Sequence, residues 1–420
     1  MHKKILRLTK ARLTRMRQVN ELPSILRTLL KDEAIGGKLI LVASALALLV
    51  VNSPLKGGYE SFWSQDLSIG LDRSVISLSL SEWVSQGLMA LFFLVVGLEI
   101  KREFIRGELR KLKTALLPIG AAVGGMVVPA VLFLSVNYDQ PDALRGWAIP
   151  IATDIAFALG VLSLLGRRVP SSLKLFLLTL AIVDDIGSIF IIALFYGAGF
   201  AIAPLLVALG LAAFLLLPPV QRRISLGMFV LLGLCFWIAV YESGIHASIA
   251  GAFLGFLAPL GAKDGRAVAE RLEKYVIPIS TFVVVPVFAF TSLGIDIGVY
   301  NPVREGSIQL LWGIILGLVV GKVVGITLAA WVLIRLRLSH LPRGTNWFQM
   351  AGVGFVAGIG FTVSIFITEL AFPVSSHLAD TAKIGVFAAS FISAAVGYLF
   401  LRYRRKVEEI VEEVEGAVGQ

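Results

Sequence analysis

Long apolar segments alternate with short polar ones along the chain after residue 34. Many of them approach the ~20 residues that a helix needs to cross a bilayer. We mark twelve and number them as predicted spans 1 to 12. Their approximate bounds are 35–52, 83–100, 114–136, 147–165, 174–196, 201–218, 226–241, 244–260, 275–292, 308–334, 347–369 and 380–401. The pattern predicts an all-α polytopic membrane protein, in which the short, closely spaced spans 7 and 8 are the pair most easily merged.

Basic residues collect on one side of these spans. The loops after spans 2, 4, 6, 8 and 10 hold 17 Lys and Arg residues, whereas the loops after the odd-numbered spans hold only Lys56, Arg73, Arg145 and Arg304. The segment before span 1 is also basic, and so are the residues directly after span 12, namely Arg402, Arg404, Arg405 and Lys406. Because basic loops remain in the cytoplasm, the alternation predicts an even number of spans and two cytoplasmic termini.

Composition agrees with this class and excludes others. The chain is 57% hydrophobic and 16% charged, against roughly 25% charged residues in soluble proteins. The basic residues behind the net charge of +10 lie mainly in the loops on one side of the spans, so no nucleic-acid partner is expected.

We divide the chain into a basic cytoplasmic segment (1–34), a twelve-helix domain (35–403) and an acidic cytoplasmic tail (404–420). The tail has apolar residues at helical spacing, and we expect it to form a short solvated helix. The single cysteine, Cys235, lies in an apolar run, and we expect a buried, inert thiol.

Residues 67–80 have a different pattern. Apolar residues alternate with mostly polar ones on both sides of Asp72-Arg73, which is the period of a small β-hairpin. The segment follows span 1, so we expect the hairpin outside the membrane. Its free edge could pair with a second copy of the chain.

Five ionisable residues lie inside predicted spans: Asp154, Asp184, Asp185, His246 and Lys322. Each costs at least ~2.5–3.5 kcal/mol at the centre of a membrane helix. Such residues face the protein interior or an aqueous cavity, and they mark transport pathways or proton relays.

Asp184 and Asp185 are adjacent in LAIVDDIGSIF (180–190). Neighbours on a helix point about 100° apart, so both can border one cavity between helices. Burial and mutual repulsion disfavour the state in which both carboxyls are ionised. Deprotonated, the pair offers hard oxygen ligands to a small cation such as sodium or lithium. Protons and cations would then compete for the same atoms. The alternative is an internal ion-pair cluster without a transport role.

Spans 4 and 11 are predicted to be interrupted near mid-membrane. Thr153 and Asp154 follow Pro150, and span 11 carries glycines at 352, 354, 358 and 360. Asp154 could offset the N-terminal ends of facing half-helices, and Lys322 the C-terminal ends. Lys322 could pair with Asp184 or Asp154, as a functional or a purely structural salt bridge. Spans 3–5 and 10–12 enter the membrane in opposite directions, as inverted repeats do.

Two further residues have a structural and a functional interpretation. His246 is more consistent with helix packing than with proton sensing, although a supporting role behind the site remains open. Glu99, in VGLEIKRE, belongs either to an ion cluster at the membrane surface or to an entrance that attracts cations.

Six segments together resemble the NhaA-type sodium/proton antiporters, over roughly residues 23–403. They are VGLEIKRE (96–103), ATDIAFALG (152–160), LAIVDDIGSIFIIALFY (180–196), GIHASIAG (244–251), LVVGKVVGI (318–326) and GIGFTVSIFI (358–367). The resemblance implies twelve helices in a bacterial inner membrane, with helices 4 and 11 unwound and crossing. It implies exchange of cytoplasmic Na⁺ or Li⁺ for external protons, no cofactor, and dimers held partly by the external hairpin.

Site residues follow from the same resemblance. Asp184 and Asp185 would bind the transported Na⁺ or Li⁺ and the protons. Thr153 and Asp154 would border this site, and Lys322 would balance its charge. We expect an electrogenic exchange if both carboxyls release a proton for each cation.

The resemblance also implies a pH-responsive cytoplasmic funnel that includes Glu99, Glu103 and Glu273. One departure lies in RLEKYVIP, where the best-known members carry histidines and this chain has Lys274 and Ile277. The sequence therefore does not predict the pH range of activity.

Other classes of protein fit less well. A solute:sodium symporter would need polar groups for an organic substrate, and an intramembrane aspartyl protease would need two aspartates on separate helices. An internal lysine opposes a cation channel. The chain has no Walker motif for an ATP-driven pump.

Overall fold

The computed structural model describes residues 34–71, 74–197, 199, 201–260, 268–296, 307–372 and 377–418. This part of the chain is mostly helical and contains one two-stranded sheet. The predicted basic segment 1–34 lies outside it except for Ala34, and so do Asp72 and Arg73 at the predicted hairpin tip.

Seven helices and two strands form the first half of the described chain. They are α1 (Ala34–Val51), α2 (Lys56–Trp63), β1 (Asp66–Leu71), β2 (Ser74–Ser79), α3 (Leu80–Arg106), α4 (Leu112–Val136), α5 (Pro141–Ile151), α6 (Ile155–Leu164) and α7 (Ser171–Phe195). The second part of α5, Arg145–Ile151, has the tighter 3₁₀ form.

Nine helices follow in the second half. They are α8 (Ile202–Leu216), α9 (Pro218–Arg223), α10 (Leu226–Glu242), α11 (Ser248–Leu257), α12 (Val268–Ser292), α13 (Ser307–Arg335), α14 (Trp347–Ala357), α15 (Phe361–Ala371) and α16 (His377–Val418). Short turns of π-helix interrupt α3 at Trp83–Leu88, α12 at Ser280–Val284 and α13 at Gly317–Gly321.

The described helices support six to nine membrane spans. Six of them are long and apolar enough to cross a bilayer alone, namely α3, α4, α7, α12, α13 and α16. Three bent pairs raise the number to nine if each pair is one span: α1 with α2, α5 with α6, and α14 with α15. Helices α8, α10 and α11 are apolar but shorter. Each predicted segment overlaps a helix or a bent pair, while the count of twelve spans remains a prediction.

The β-hairpin is confirmed. Strands β1 and β2 pair antiparallel, with Leu67 opposite Leu78 and Ile69 opposite Ile76. Ile76 and Leu78 are buried, whereas Leu67 and Ile69 are 45% and 55% exposed. The apolar face of the hairpin is therefore only half covered by the described part of its own chain.

Small residues allow close helix packing. A Cβ atom at Gly97 of α3 would overlap the backbone of Ala252 in α11, and one at Gly251 would overlap Ala90. Gly124 of α4 and Gly325 of α13 approach each other in the same way. Close approach of this kind is the usual basis of helix association in lipid. Apolar side chains are already surrounded by apolar lipid tails there, so the hydrophobic effect does not drive helices together.

One expectation is wrong, because Cys235 is exposed on α10 and not buried. The acidic tail is helical to Val418 as expected, but it continues α16 without interruption. An apolar run in a membrane protein does not distinguish the lipid-facing surface from the core, since both are apolar.

Candidate functional site

The two interruptions lie against each other. Helices α5 and α6 meet at 49°, and α14 and α15 meet at 47°. The amide of Asp154 donates to the carbonyl of Ile359 at 2.6 Å, which joins the two breaks directly. Pro150 removes one helical amide just before the first break, and Gly358 and Gly360 flank the second. The predicted interruption of both helices is therefore confirmed.

Asp154 caps both second half-helices. Its Oδ1 accepts from the amide of Phe157 in α6 at 3.1 Å. Its Oδ2 accepts from the amide of Thr362 in α15 at 3.1 Å and from the Thr362 hydroxyl at 2.6 Å. Each helix N-terminus carries a partial charge of about +0.5. One carboxylate therefore offsets the positive ends of two facing helices.

Lys322 pairs with Asp184. Its Nζ lies 2.5 Å from Asp184 Oδ2 and 3.0 Å from Thr153 Oγ1, and both charged side chains are 0% exposed. The Thr153 hydroxyl is also 2.7 Å from Asp184 Oδ2 and 2.8 Å from the Ala357 carbonyl. The sequence allowed Lys322 to pair with Asp184 or with Asp154, and in the structure it pairs with Asp184.

The packing of α13 explains why Lys322 reaches this point. The π-helical turn Gly317–Gly321 ends directly before it. Within that turn, a Cβ atom at Gly317 would overlap Pro150, and one at Gly321 would lie against the backbone of Pro129. These two glycines let α13 approach α5 and α4 closely, so the Lys322 side chain meets the break in α5.

Asp185 is the least compensated carboxylate. It is 6% exposed, and its described contacts include no hydrogen bond and no ion pair. Its charged neighbours are Asp184, Asp154, Glu99 and Lys322. Because the helix ends offset Asp154 and Lys322 offsets Asp184, the charge of Asp185 has no dedicated partner among the described residues.

Two of the three predicted funnel acids, Glu99 and Glu273, lie near one arginine. Arg102 of α3 pairs with Glu273 of α12 and also neighbours Glu99. Glu103 Oε1 lies 3.5 Å from the hydroxyl of Thr179, which is on α7 with the aspartate pair. Glu99 thus lies between the Arg102–Glu273 pair and the buried aspartates.

His246 does not join the site. The prediction placed it inside span 8, but it precedes α11, which begins at Ser248. Its Nδ1 lies 2.7 Å from Ser248 Oγ, and its ring packs edge-on against Phe366 with centroids 5.3 Å apart. These contacts are those of a packing residue.

Two further polar residues lie near the site and were not predicted from the sequence. Thr362 contacts Asp154 through both its amide and its hydroxyl. Ser188 lies one turn after Asp184 on α7, is buried, and has no hydrogen-bond partner among the described residues. The sequence signal that could have identified them is position: Thr362 lies two residues after Gly360, and Ser188 lies three residues after Asp185.

Two broken helices in contact around a buried lysine–aspartate pair define the class of the protein: a polytopic membrane protein with the charged core typical of secondary transporters. The chain belongs to the Na⁺/H⁺ antiporter 1 family, whose model matches residues 27–401.

Curated relatives agree with this membership. The Na⁺/H⁺ antiporter NhaA of Escherichia coli O6:K15:H31 (strain 536 / UPEC) is 45% identical over 379 residues, which cover 89% of this chain and 96% of the relative. The protein of the same name from Shewanella amazonensis is 45% identical over 383 residues, with 90% and 96% covered. That of Salmonella arizonae is 44% identical over 389 residues, with 90% and 98% covered.

Proposed function

We propose that this protein is a secondary antiporter that expels Na⁺ or Li⁺ from the cytoplasm in exchange for external protons. The observation that carries the proposal is the pairing of Lys322 with Asp184 beside the uncompensated carboxylate of Asp185, at the contact of two broken helices. The names of the relatives support Na⁺ and protons as the exchanged ions.

Charge balance gives a mechanism for the exchange. An ionised carboxylate that is buried without a partner is strongly disfavoured. Asp185 can be neutralised by a proton or by a small cation, but not by both at once. Each occupant therefore displaces the other, and the site exchanges ions when it opens alternately to the two faces of the membrane.

The lysine pair adds a second proton to this scheme. A cation that also binds Asp184 replaces Lys322 as its countercharge. Lys322, which is completely buried, then loses the partner that stabilises its ammonium group. Release from both Asp185 and this pair would give two protons for each monovalent cation, so the exchange would be electrogenic.

Reconstitution in proteoliposomes tests exchange and charge movement together. We expect Na⁺ or Li⁺ to drive proton movement, K⁺ to drive little, and an imposed membrane potential to change the rate. Equal responses to Na⁺ and K⁺ would contradict the hard-cation site. Absence of any voltage response would contradict the two-proton scheme and leave an electroneutral exchange.

The proposed topology has twelve spans, with α8, α10 and α11 also crossing a bacterial inner membrane and both termini cytoplasmic. The distribution of basic loops supports this orientation, and the bent pairs α5–α6 and α14–α15 occupy the middle of the proposed inverted repeats. Reporter fusions after Asp142 and after Arg223 should report opposite sides of the membrane. The same side for both would contradict the topology.

The acids Glu99, Glu103 and Glu273 are proposed to control access and the pH response. Glu273 pairs with Arg102 at the contact of α12 with α3, Glu99 neighbours both this pair and Asp185, and Glu103 contacts α7, the helix of the aspartate pair. We expect Glu273→Gln, which removes the partner of Arg102, to shift the pH–activity profile at an unchanged maximal rate. Loss of the maximal rate without a shift would instead indicate a structural role for the pair.

A homodimer through the hairpin is also proposed. The exposed apolar side chains of β1, Leu67 and Ile69, leave half of the apolar face of the hairpin uncovered, and in the described part of the chain β1 pairs only with β2. A second copy of the chain would cover this face and the other edge of β1.

A further inference from the structure

Two unpartnered oxygens lie one turn apart on α7. Asp184 Oδ1 and Ser188 Oγ are buried and have no hydrogen-bond partner among the described residues. Ser188 is only 1% exposed. Since an unpaired buried polar group costs free energy, two of them on adjacent turns require an explanation.

Several other buried hydroxyls in the described helices satisfy themselves locally. Ser44, Thr179 and Thr368 each donate to the carbonyl four residues earlier. Ser188 does not use the corresponding carbonyl of Asp184. Ser307, Thr327 and Ser393 are also unpartnered, but Ser188 is the member of this described set that shares a helix turn with an unpartnered carboxylate oxygen.

Helix geometry places Ser188 between the two aspartates. At about 100° per residue, Ser188 is rotated about 40° from Asp184 and about 60° from Asp185, on the side between them. Side chains of a helix lean towards its N-terminus, so the Ser188 hydroxyl leans over the turn that carries both carboxylates. Residues four apart have Cβ atoms about 5–6 Å apart, a gap that one small cation can bridge.

The carboxylates alone are too few for a complete shell. Among the described residues, no group of three or more His, Cys, Asp or Glu could hold a metal ion. A small hard cation at the aspartate pair therefore needs neutral oxygen ligands, which a serine hydroxyl can supply.

From this arrangement we infer that Ser188 is a ligand of the transported cation, with its Oγ completing a site formed by Asp184 Oδ1 and the Asp185 carboxylate. The inference rests on the proposed exchange and adds a neutral oxygen to its site. The hydroxyl contributes to cation binding and not to proton binding, because it does not titrate in the range in which carboxyls and amines exchange protons.

The test compares variants at two matched buried serines. Ser188→Ala should raise the half-saturating Na⁺ concentration about three- to tenfold, the effect of losing one modest polar interaction, without a matching loss of maximal rate. The factor should be the same at each pH, because only the cation loses a ligand. Ser188→Thr retains the hydroxyl and should stay close to wild type. Ser307→Ala removes an equally unpartnered hydroxyl at the start of α13 and should change nothing.

Several results would overturn the inference. One is an unchanged half-saturating Na⁺ concentration in Ser188→Ala, and another is a fall in maximal rate alone. A third is Ser188→Thr behaving like Ser188→Ala. If the alanine variant fails to accumulate in the membrane, Ser188→Cys removes the hard oxygen at nearly constant volume, and its half-saturating concentration decides in the same way.

A parallel binding measurement separates this inference from the proposed function. Na⁺ should raise the thermal unfolding temperature of the purified wild-type protein, and the Ser188→Ala curve should need more Na⁺ for the same rise. Wild-type protein that neither exchanges Na⁺ nor is stabilised by it would overturn the proposed function and this ligand with it. Wild-type exchange with an unaltered Ser188→Ala curve would overturn the role of Ser188 alone.

Discussion

Lys322 and Asp184 form an ion pair at 2.5 Å with both side chains completely buried. A buried pair does not in itself make a fold more stable, because both charges lose their hydration. Removing one partner is costly, however, since the other charge is then left without compensation. The pair therefore creates a strong preference about which charges occupy the site, and an exchanger needs such a preference.

Neutralising the lysine should destabilise the protein. Lys322→Met leaves Asp184 buried and unpaired, which costs about 3–5 kcal/mol when one member of a buried pair is removed. We expect a lower thermal unfolding temperature in detergent, with a smaller loss at pH 5 than at pH 8, because Asp184 can then be neutralised by a proton. The double variant Lys322→Met/Asp184→Asn should recover much of the loss. A single variant as stable as wild type would contradict the uncompensated-charge account.

Because Asp154 caps two helices, substitutions at this position should lower the stability of the protein to different degrees. Asp154→Ala removes the acceptors at the N-termini of α6 and α15, and each lost cap costs about 0.5–2 kcal/mol. Asp154→Asn keeps a side-chain oxygen and should lose less. Asp142→Ala, on the exposed first turn of α5, is the control and should change the unfolding temperature little. Equal losses in Asp154→Ala and Asp154→Asn would argue against capping.

Thr153 links the lysine pair to the break in the other helix. Thr153→Val keeps the shape but removes the hydroxyl that contacts Lys322, Asp184 and Ala357, leaving a buried carbonyl with one donor fewer. An unsatisfied buried group costs about 1–3 kcal/mol. We expect lower thermal stability and slower exchange in Thr153→Val, with near wild-type behaviour in Thr153→Ser. If valine and serine have the same effect, the hydroxyl is not the cause.

A charged residue on the apolar face of the hairpin tests the proposed homodimer. Ile69→Lys places a cation on the exposed apolar face, and we expect a lower dimer fraction by light scattering after size-exclusion chromatography in detergent. Ser68→Lys introduces the same charge on the opposite face of β1 and serves as the control. A fully dimeric Ile69→Lys protein would exclude this face as the dimer contact.

Local sequence signals predicted the features that depend on local chemistry. Alternation of apolar residues gave the hairpin, and Pro150 together with the glycines of the eleventh span gave the two interruptions. The adjacent aspartates were conspicuous because charge is rare within membrane segments.

Features that depend on tertiary contacts were not accessible in this way. Thr153 and Ala357 are 204 residues apart, and only the contact of the two breaks brings them together. Lys322 pairs with Asp184 and not with Asp154 because of how closely α13 packs against its neighbours. The wrong expectation for Cys235 has the same origin, since an apolar sequence does not show which face of a helix meets lipid.

The central claim is that protons and a small cation compete for the same buried carboxylates, and proton release on cation binding tests it most directly. Purified protein in weakly buffered detergent solution should release protons when Na⁺ is added and few when K⁺ is added. Asp185→Asn should release none, while the exposed control Asp142→Asn should match wild type. An Asp185→Asn protein that still binds Na⁺ and releases as many protons as wild type would contradict the account.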